Sequence, residues 1–402
     1  MRFRVVPIVA VALGLRSAVA FLVARSHRAD WFFGQATELG SLAESLRTGH
    51  GLSSPFGGST GPSAFLSPGY PALVAAVFSI FKPYSYGSEV AILALQVAFS
   101  AATVLAIMLL ARRLFGVPVA HMAGLICALA PPALYLPTLF WETSLSVLLA
   151  TSMLALAARC AERCDAADWL YLALCCAVAI SVNPSLLSIV VVSLGWAAWQ
   201  TRAKSRVPAM AGAALVVLLS MPSAIRNSMQ LHAFIPLRSN AGYELWQGNR
   251  VGSDGFFLAD LHPNTNAAEF ARYRELGEVG YMQEKSVIAT NLIKAEPGRF
   301  AGLTVRRVFY FWTGMGRMWS GLVVAYISLT TLAGFVGLVV LWRSDTAKAV
   351  LCLLPVLLFP APYYITHPDF RFRLILDPLL VMLVAYAASK GKAFEPAPNV
   401  IA

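Results

Sequence analysis

Long apolar runs constrain this chain more than any other feature. A bilayer's hydrocarbon core, about 30 Å thick, is crossed by roughly 20 helical residues rising 1.5 Å each. Runs of that kind lie near 5–24, 88–111, 117–138, 142–159, 167–183, 185–200, 207–224, 320–342, 348–366 and 374–389. Lipid offers backbone groups no hydrogen-bond partner, so each run must bond internally as a helix. Of the 402 residues, 58% are apolar and 13% charged, whereas a soluble domain has about 25% charged. The expectation is an all-α polytopic membrane protein of about ten transmembrane helices, with outer interfacial helices.

The net charge of +11 is read as topogenic, because Lys and Arg gather at cytoplasmic helix ends. With no long basic run, nucleic acid is not an expected partner. The clusters Arg112/Arg113, Arg159/Arg163, Arg202/Lys204/Arg206, Arg343/Lys348 and Lys390/Lys392 follow alternate spans and can share the cytoplasmic side. Arg2 and Arg4 join them only if the short apolar segment 69–81, opened by Pro68-Gly69-Tyr70-Pro71, does not cross. That segment is therefore expected to be interfacial or re-entrant. Residues 1–24 resemble a signal peptide with Ala18-Val19-Ala20 at a cleavage-like site, but Arg16 interrupts the run and many spans follow. An uncleaved first helix is preferred.

This topology leaves two polar segments outside, 25–87 and 226–319. The chain divides into an N-terminal membrane module (1–225), an outer segment (226–319) and C-terminal membrane helices (320–402). Within the first outer segment, Leu39, Leu42, Ala43 and Leu46 recur at helical spacing, and Gly49 and Gly51 end the pattern. Such an amphipathic helix lies in the interface plane. The six cysteines lie in or beside apolar runs, so a disulfide framework is not expected.

Chemistry-bearing residues collect on the outer side. Glu38 borders the apolar stripe of the interfacial helix, and Asp30 lies upstream. Glu142 opens a span beside Trp141, and Arg226 and Asn227 follow Pro222 at the end of another. The run His367-Pro368-Asp369-Phe370-Arg371-Phe372-Arg373 precedes the final span. Inside the spans Arg16 is the main charge; it needs a partner in lipid, and Asp377 is the candidate for an ion pair. No Walker A loop, Rossmann glycine motif, HExxH or DxD sequence is present. Gly57-Gly58-Ser59-Thr60-Gly61 formally fits GxSxG but lacks the strand–turn–helix context of a nucleophile elbow. No cofactor is expected, and a divalent cation is left open.

Several runs together resemble the multispan glycosyltransferases of the GT-C superfamily, near the protein-mannosyltransferase and aminoarabinose-transferase branch. They include Ala36-Thr37-Glu38-Leu39 after the first span, Gly49-His50-Gly51 leading to Pro68-Gly69-Tyr70-Pro71, and Ala130-Pro131-Pro132 before Trp141-Glu142-Thr143. Others are Ala111-Arg112-Arg113, Pro222-Ser223-Ala224-Ile225-Arg226-Asn227, Pro236-Leu237-Arg238-Ser239 and Gly248-Asn249. The resemblance implies sugar transfer from a polyprenyl-phosphate donor to a glycan, lipid or protein acceptor outside the cytoplasm, with inversion, in a bacterial inner membrane. It places a catalytic acid at Glu38, where the family usually has Asp, with Glu142 and Asp30 as the other acids. Arg226, Arg371 and Arg373 are implied as phosphate ligands, brought together in a cleft between the helix groups, with Asn227, His367 and Tyr70 as further substrate contacts. The alternative is a polytopic transporter or lipid-linked-sugar flippase, which needs central polar sites and broken helices; the spans here are clean and their polar groups peripheral.

Overall fold

All ten apolar runs are helical in the computed structural model, which describes residues 3–203, 206–315 and 320–391. Helix α1 (Val6–Ser26) is followed by three shorter helices, α2 (Ala29–Gly34), α3 (Thr37–Arg47) and α4 (Gly69–Ile80). Next comes α5 (Tyr86–Phe115), started by a reciprocal Ser85–Ser88 capping box and ended at Gly116, whose φ of 90° suits a residue without a Cβ. Helices α6 (Val117–Leu129) and α7 (Pro131–Tyr135) follow; with the turn to Thr138, they meet at a 58° bend. Pro131 and Pro132 cause it, since proline removes a helical N–H and clashes with the preceding turn.

Helices α8 (Thr143–Arg163), α9 (Ala166–Val182), α10 (Leu187–Thr201) and α11 (Val207–Leu231) complete the first membrane group. The intervening segment holds α12 (Ala241–Asn249), α13 (Ala267–Ala295) and α14 (Pro297–Thr313). The last group is α15 (Gly321–Ser344), α16 (Thr346–Leu358), α17 (Ala361–Ile365), α18 (Phe370–Leu374) and α19 (Asp377–Gly391). Among the described residues, seven helices are long and apolar enough to cross a membrane, and eight if the bent pair is one span. The other two runs of the expected ten are shorter: α9 has 17 residues and α19 has 15. At 1.5 Å per residue these reach about 25 and 22 Å, lengths a bilayer accommodates by local thinning.

Segment 69–81 is too short to meet the length of a spanning helix. Helix α4 has 12 residues, about 18 Å. The loop after it returns to the helix before it: a Cβ at Gly40 of α3 would stand 2.9 Å from the Tyr84 ring. The loop after α4 therefore packs on α3. At the opposite face the backbone N–H of Arg4 donates to His121 Nε2 (2.9 Å), and the Arg112 guanidinium lies 4.5 Å from the Phe3 ring centre. The N-terminus thus sits beside the basic end of α5. Arg2, Lys204 and Lys392 of the basic clusters lie outside the described residues.

Arg16 corrects one expectation. Its fully buried guanidinium donates to Ser100 Oγ (2.7 Å) and to the carbonyls of Ala12, Cys127 and Ala128 (3.2, 3.0 and 3.0 Å). Asp377 instead accepts from Arg373 (2.6 Å) and the Tyr326 hydroxyl (2.8 Å). The break between α6 and α7 turns the Cys127 and Ala128 carbonyls away from helical partners, and the arginine satisfies them.

On the face away from the basic clusters, a second aromatic core joins the first loop to the intervening segment. Phe56 and Phe65 pack there with Tyr243, Trp246, Tyr273 and Tyr281.

Two predictions follow from this packing. Probes placed at positions 55 and 85 should report the same side of the membrane; opposite sides would mean that α4 crosses. Helix α15 approaches α19 so closely that a Cβ at Gly337 would stand 2.2 Å from the Leu383 carbonyl oxygen. Gly337→Val should lower stability in thermal unfolding by roughly 1–3 kcal/mol, the usual cost of overpacking.

Candidate active site

Glu38 is carried into protein by the helix that presents it. The α3 stripe of Leu39, Leu42 and Ala43 is fully covered, and Glu38 at its border keeps only 7% of its surface. Its Oε2 accepts from Asn264 Nδ2 at 3.2 Å, and Asn264 also donates to the Thr37 hydroxyl. Burial pushes the Glu38 carboxyl up to about 7. The positive charge of Arg371 opposes that shift, while the carboxylates of Glu244 and Glu142 reinforce it. Three acids and a guanidinium therefore share one neighbourhood.

Each neighbour comes from a different element. Glu142 is the N-cap residue of α8, and Arg238 Nη2 approaches it at 3.8 Å. Arg238 also donates from Nε to Ser67 Oγ at 3.3 Å. Arg371 on α18 lies over the Trp141 ring, 3.7 Å from its centre, an arrangement favoured by the ring quadrupole. Asp369 approaches Arg371 Nε at 3.5 Å.

Glu244 on α12 meets His367 Nε2 at 2.6 Å. Glu244 is half-buried, its side chain keeping 30% exposure. Burial would raise its carboxyl, but the hydrogen bond and charge of His367, with Arg238, hold it below the ordinary value. His262 stacks edge-on against Phe56 and Tyr243; burial pushes its imidazole down to about 4, so it is neutral at pH 7.

Three buried polar atoms here have no hydrogen-bond partner: Tyr70 Oη, His367 Nδ1 and Arg371 Nε. Burial, with the Glu142 charge nearby, pushes the Tyr70 phenol well up, so it stays protonated. Buried polar groups are almost always paired, so three such atoms around clustered carboxylates mark a place for a polar ligand. Among the described residues, no group of three or more His, Cys, Asp or Glu is arranged to hold a metal ion.

Residues 66–225 match the family model described as dolichyl-phosphate-mannose-protein mannosyltransferase, a range that includes Tyr70 and Glu142. No curated protein sequence gives a match. In three dimensions the chain is similar to the apo oligosaccharyltransferase of Archaeoglobus fulgidus, with a TM-score of 0.58 and 11% identity over 98% of this chain and 51% of that one. The same archaeal enzyme, AglB, in complex with an inhibitory peptide and a dolichol-phosphate gives 0.55 and 13% over 94% and 50%. The chain has the GT-C fold. It spans about half the length of those oligosaccharyltransferases. ArnT from Cupriavidus metallidurans bound to undecaprenyl phosphate superposes more loosely, with a TM-score of 0.42 and 14% identity over 96% and 81%.

The GT-C scaffold of this chain brings Glu38, Glu142, Arg371, His367 and Tyr70 together and leaves the other expected residues out. Asp30 is exposed in the first turn of α2 and does not join the acids. The three arginines do not converge. Arg226 donates to the carbonyls of Ser63 (2.6 Å) and Leu52 (2.5 Å), so it clamps the first loop, while Asn227 binds the carbonyls of Ile235 and Leu237. Arg373 is buried and donates to Asp377, Thr330 and Thr331. Helical residues two apart point in different directions, so on α18 Arg371 reaches the cleft while Arg373 turns into the bundle.

Sequence reasoning missed Glu244, Arg238, His262 and Asn264 as members of the site. Arg238 stood inside a resembling run without a role. Glu244 offered one signal, a single acid set among Tyr243, Leu245 and Trp246.

The raised Glu38 carboxyl makes a signed prediction about stability. The folded state binds this proton more tightly than the unfolded chain, so stability is lost as pH rises from the ordinary carboxyl value of 4.5 to about 7. Glu38→Gln should therefore unfold at a higher temperature than wild type above pH 7, by up to about 3 kcal/mol. The two should converge near pH 4. A constant difference across that range would show that Glu38 is not shifted.

Proposed function

We propose that this chain is a membrane glycosyltransferase that moves a sugar from a polyprenyl-phosphate carrier to an acceptor hydroxyl, with inversion. The observation that carries the reading is a buried carboxyl, Glu38, held near neutrality within the field of Arg371, at the membrane-proximal face of a GT-C fold. A base with its pKa near the working pH is the efficient one. Glu38 takes the acceptor proton as the hydroxyl oxygen attacks the anomeric carbon. The bond from that carbon to the phosphate oxygen breaks on the opposite side. Arg371, stacked on Trp141, and Arg238 receive the phosphate charge. Glu244 orients the His367 ring through Nε2. Glu142 holds Arg238.

The family model's name and the dolichol-phosphate in the AglB complex support a lipid-phosphate donor. The basic clusters at the opposite helix ends support a site on the non-cytoplasmic side, the periplasmic side of a bacterial plasma membrane. A transporter or flippase would need polar groups open to a path through the bilayer. The central Arg16 is instead saturated by Ser100 and backbone carbonyls.

The test is transfer by the reconstituted protein, supplied with polyprenyl-phosphate sugars and followed by mass spectrometry of lipid-linked sugars and products. Wild type should consume a donor, with kcat/KM falling about tenfold per pH unit below pH 7 as Glu38 protonates. Glu38→Gln should lose about 10²–10⁴-fold. Wild-type rates in that variant would move the base to Glu142 or Glu244. Arg371→Lys keeps the charge but loses the planar fork and should weaken donor use, whereas Arg226→Lys should change stability and leave donor KM unaltered. Equal donor KM in all three proteins would remove Arg371 from the phosphate site.

A further inference from the structure

The intervening segment between the two membrane groups is not wholly outside the bilayer. We propose that α14 enters the hydrocarbon layer of the leaflet on the site face and that its uncovered stripe is a phospholipid-binding surface, with Arg306 at phosphate depth. This rests on packing against the spans, independently of the proposed reaction.

Depth follows from what the end of α14 touches. The Thr313 carbonyl accepts from Ser328 Oγ at 3.0 Å, a Cβ at Gly314 would stand 2.9 Å from Ile327, and the Trp312 and Phe335 rings are 5.1 Å apart. Helix α15 begins at Gly321, so Ile327 and Ser328 lie about 10 Å along it and Phe335 about 21 Å. Its 24 residues span about 36 Å, only about 6 Å more than the hydrocarbon core. Even with all of that excess projecting on this side, the end of α14 packs below the hydrocarbon boundary.

The surface of α14 matches such a tilt. Leu303, Arg307 and Phe311 form its buried face, while Val305 and Phe309 on the other face are 70% and 50% exposed. That apolar stripe continues into exposed Met315 and Leu322, and then into Leu329 and Leu332, the lipid face of α15. Charge falls along the same direction: Arg299 is near the start, Arg306 in the middle, and Phe309-Tyr310-Phe311-Trp312 at the end. Cations at headgroup level and aromatics just below are the ordinary order at an interface. A watery setting would leave this stripe as an uncovered apolar patch.

The helix is also held at that depth. Arg307 donates to the carbonyls of Gly248 (2.5 Å), Gly255 (3.3 Å), Tyr364 (3.2 Å) and Ile365 (3.2 Å), and to Asn249 Oδ1 (3.0 Å). These acceptors lie at the end of α12, which carries Glu244, in the loop after it, and at the end of α17, which leads to His367. The lipid-facing helix and the cleft are thereby one mechanical unit.

The test places a fluorescent non-natural amino acid at Val305, Phe309 or, as a water-exposed reference, Val251, in the full chain reconstituted into phosphatidylcholine vesicles. Acyl chains brominated near the headgroup should quench the label at 309 most, at 305 less and at 251 not at all; aqueous iodide should quench only 251. Iodide quenching at 309 would overturn the proposal by placing the stripe in water. Protection at 309 from both quenchers would overturn it by showing that a second copy or another protein covers the stripe. When phosphatidylglycerol is added, Arg306→Gln should reduce bromine quenching at 305, and an unchanged value would overturn the phosphate contact.

Discussion

Irregular backbone beside a bilayer leaves carbonyl oxygens that no helix satisfies, and in this chain buried and half-buried guanidinium groups supply the missing donors. Arg16 closes the broken span at Cys127 and Ala128. Arg226 ties down the first loop at Leu52 and Ser63. Arg307 gathers the end of α12, the following turn and the approach to His367. A guanidinium has five donors in a fixed plane and keeps its charge, so one side chain can bind carbonyls from several segments. An unpaired buried carbonyl costs free energy comparable to a lost hydrogen bond, so these clamps hold the irregular segments in one arrangement.

The cleft depends on that arrangement. Glu38, Glu142, Arg238 with Glu244, and His367 with Arg371 come from four separate stretches of the chain. Their electrostatics arise from the assembly. Glu38 is near neutrality because covered apolar positions flank it and two carboxylates stand nearby, with Arg371 only partly opposing them. The same environment leaves Tyr70 and His367 with polar atoms that make no hydrogen bond, a cost that folding alone does not repay.

The GT-C fold explains why the polar chemistry can be peripheral. Spans with few internal charges form the scaffold, and broken or short elements at one face carry the reactive groups. Helix α14 extends that division, because its apolar stripe faces lipid while Arg307 on the other side holds the cleft loops.

The ten helical runs were legible in the sequence because hydrophobic length is a local property that lipid enforces residue by residue. The same holds for the helix that carries Glu38, because its apolar stripe recurs at helical spacing. Which charges meet was not legible. Arg16 and Asp377 looked like natural partners, yet carbonyls of a proline-broken span and a closer Arg373 satisfied them separately. Arg226, Arg371 and Arg373 looked equivalent at headgroup depth, but one clamps a loop, one stacks on Trp141 and one turns inward. Glu244 joined the site through a contact with His367, 123 positions away. The sequence by itself determined that the chain crosses a membrane and which face bears its acids, because those depend on composition and period. Only the tertiary structure decided which acids and cations meet, because that depends on side-chain direction and on competition among donors for the same buried acceptors.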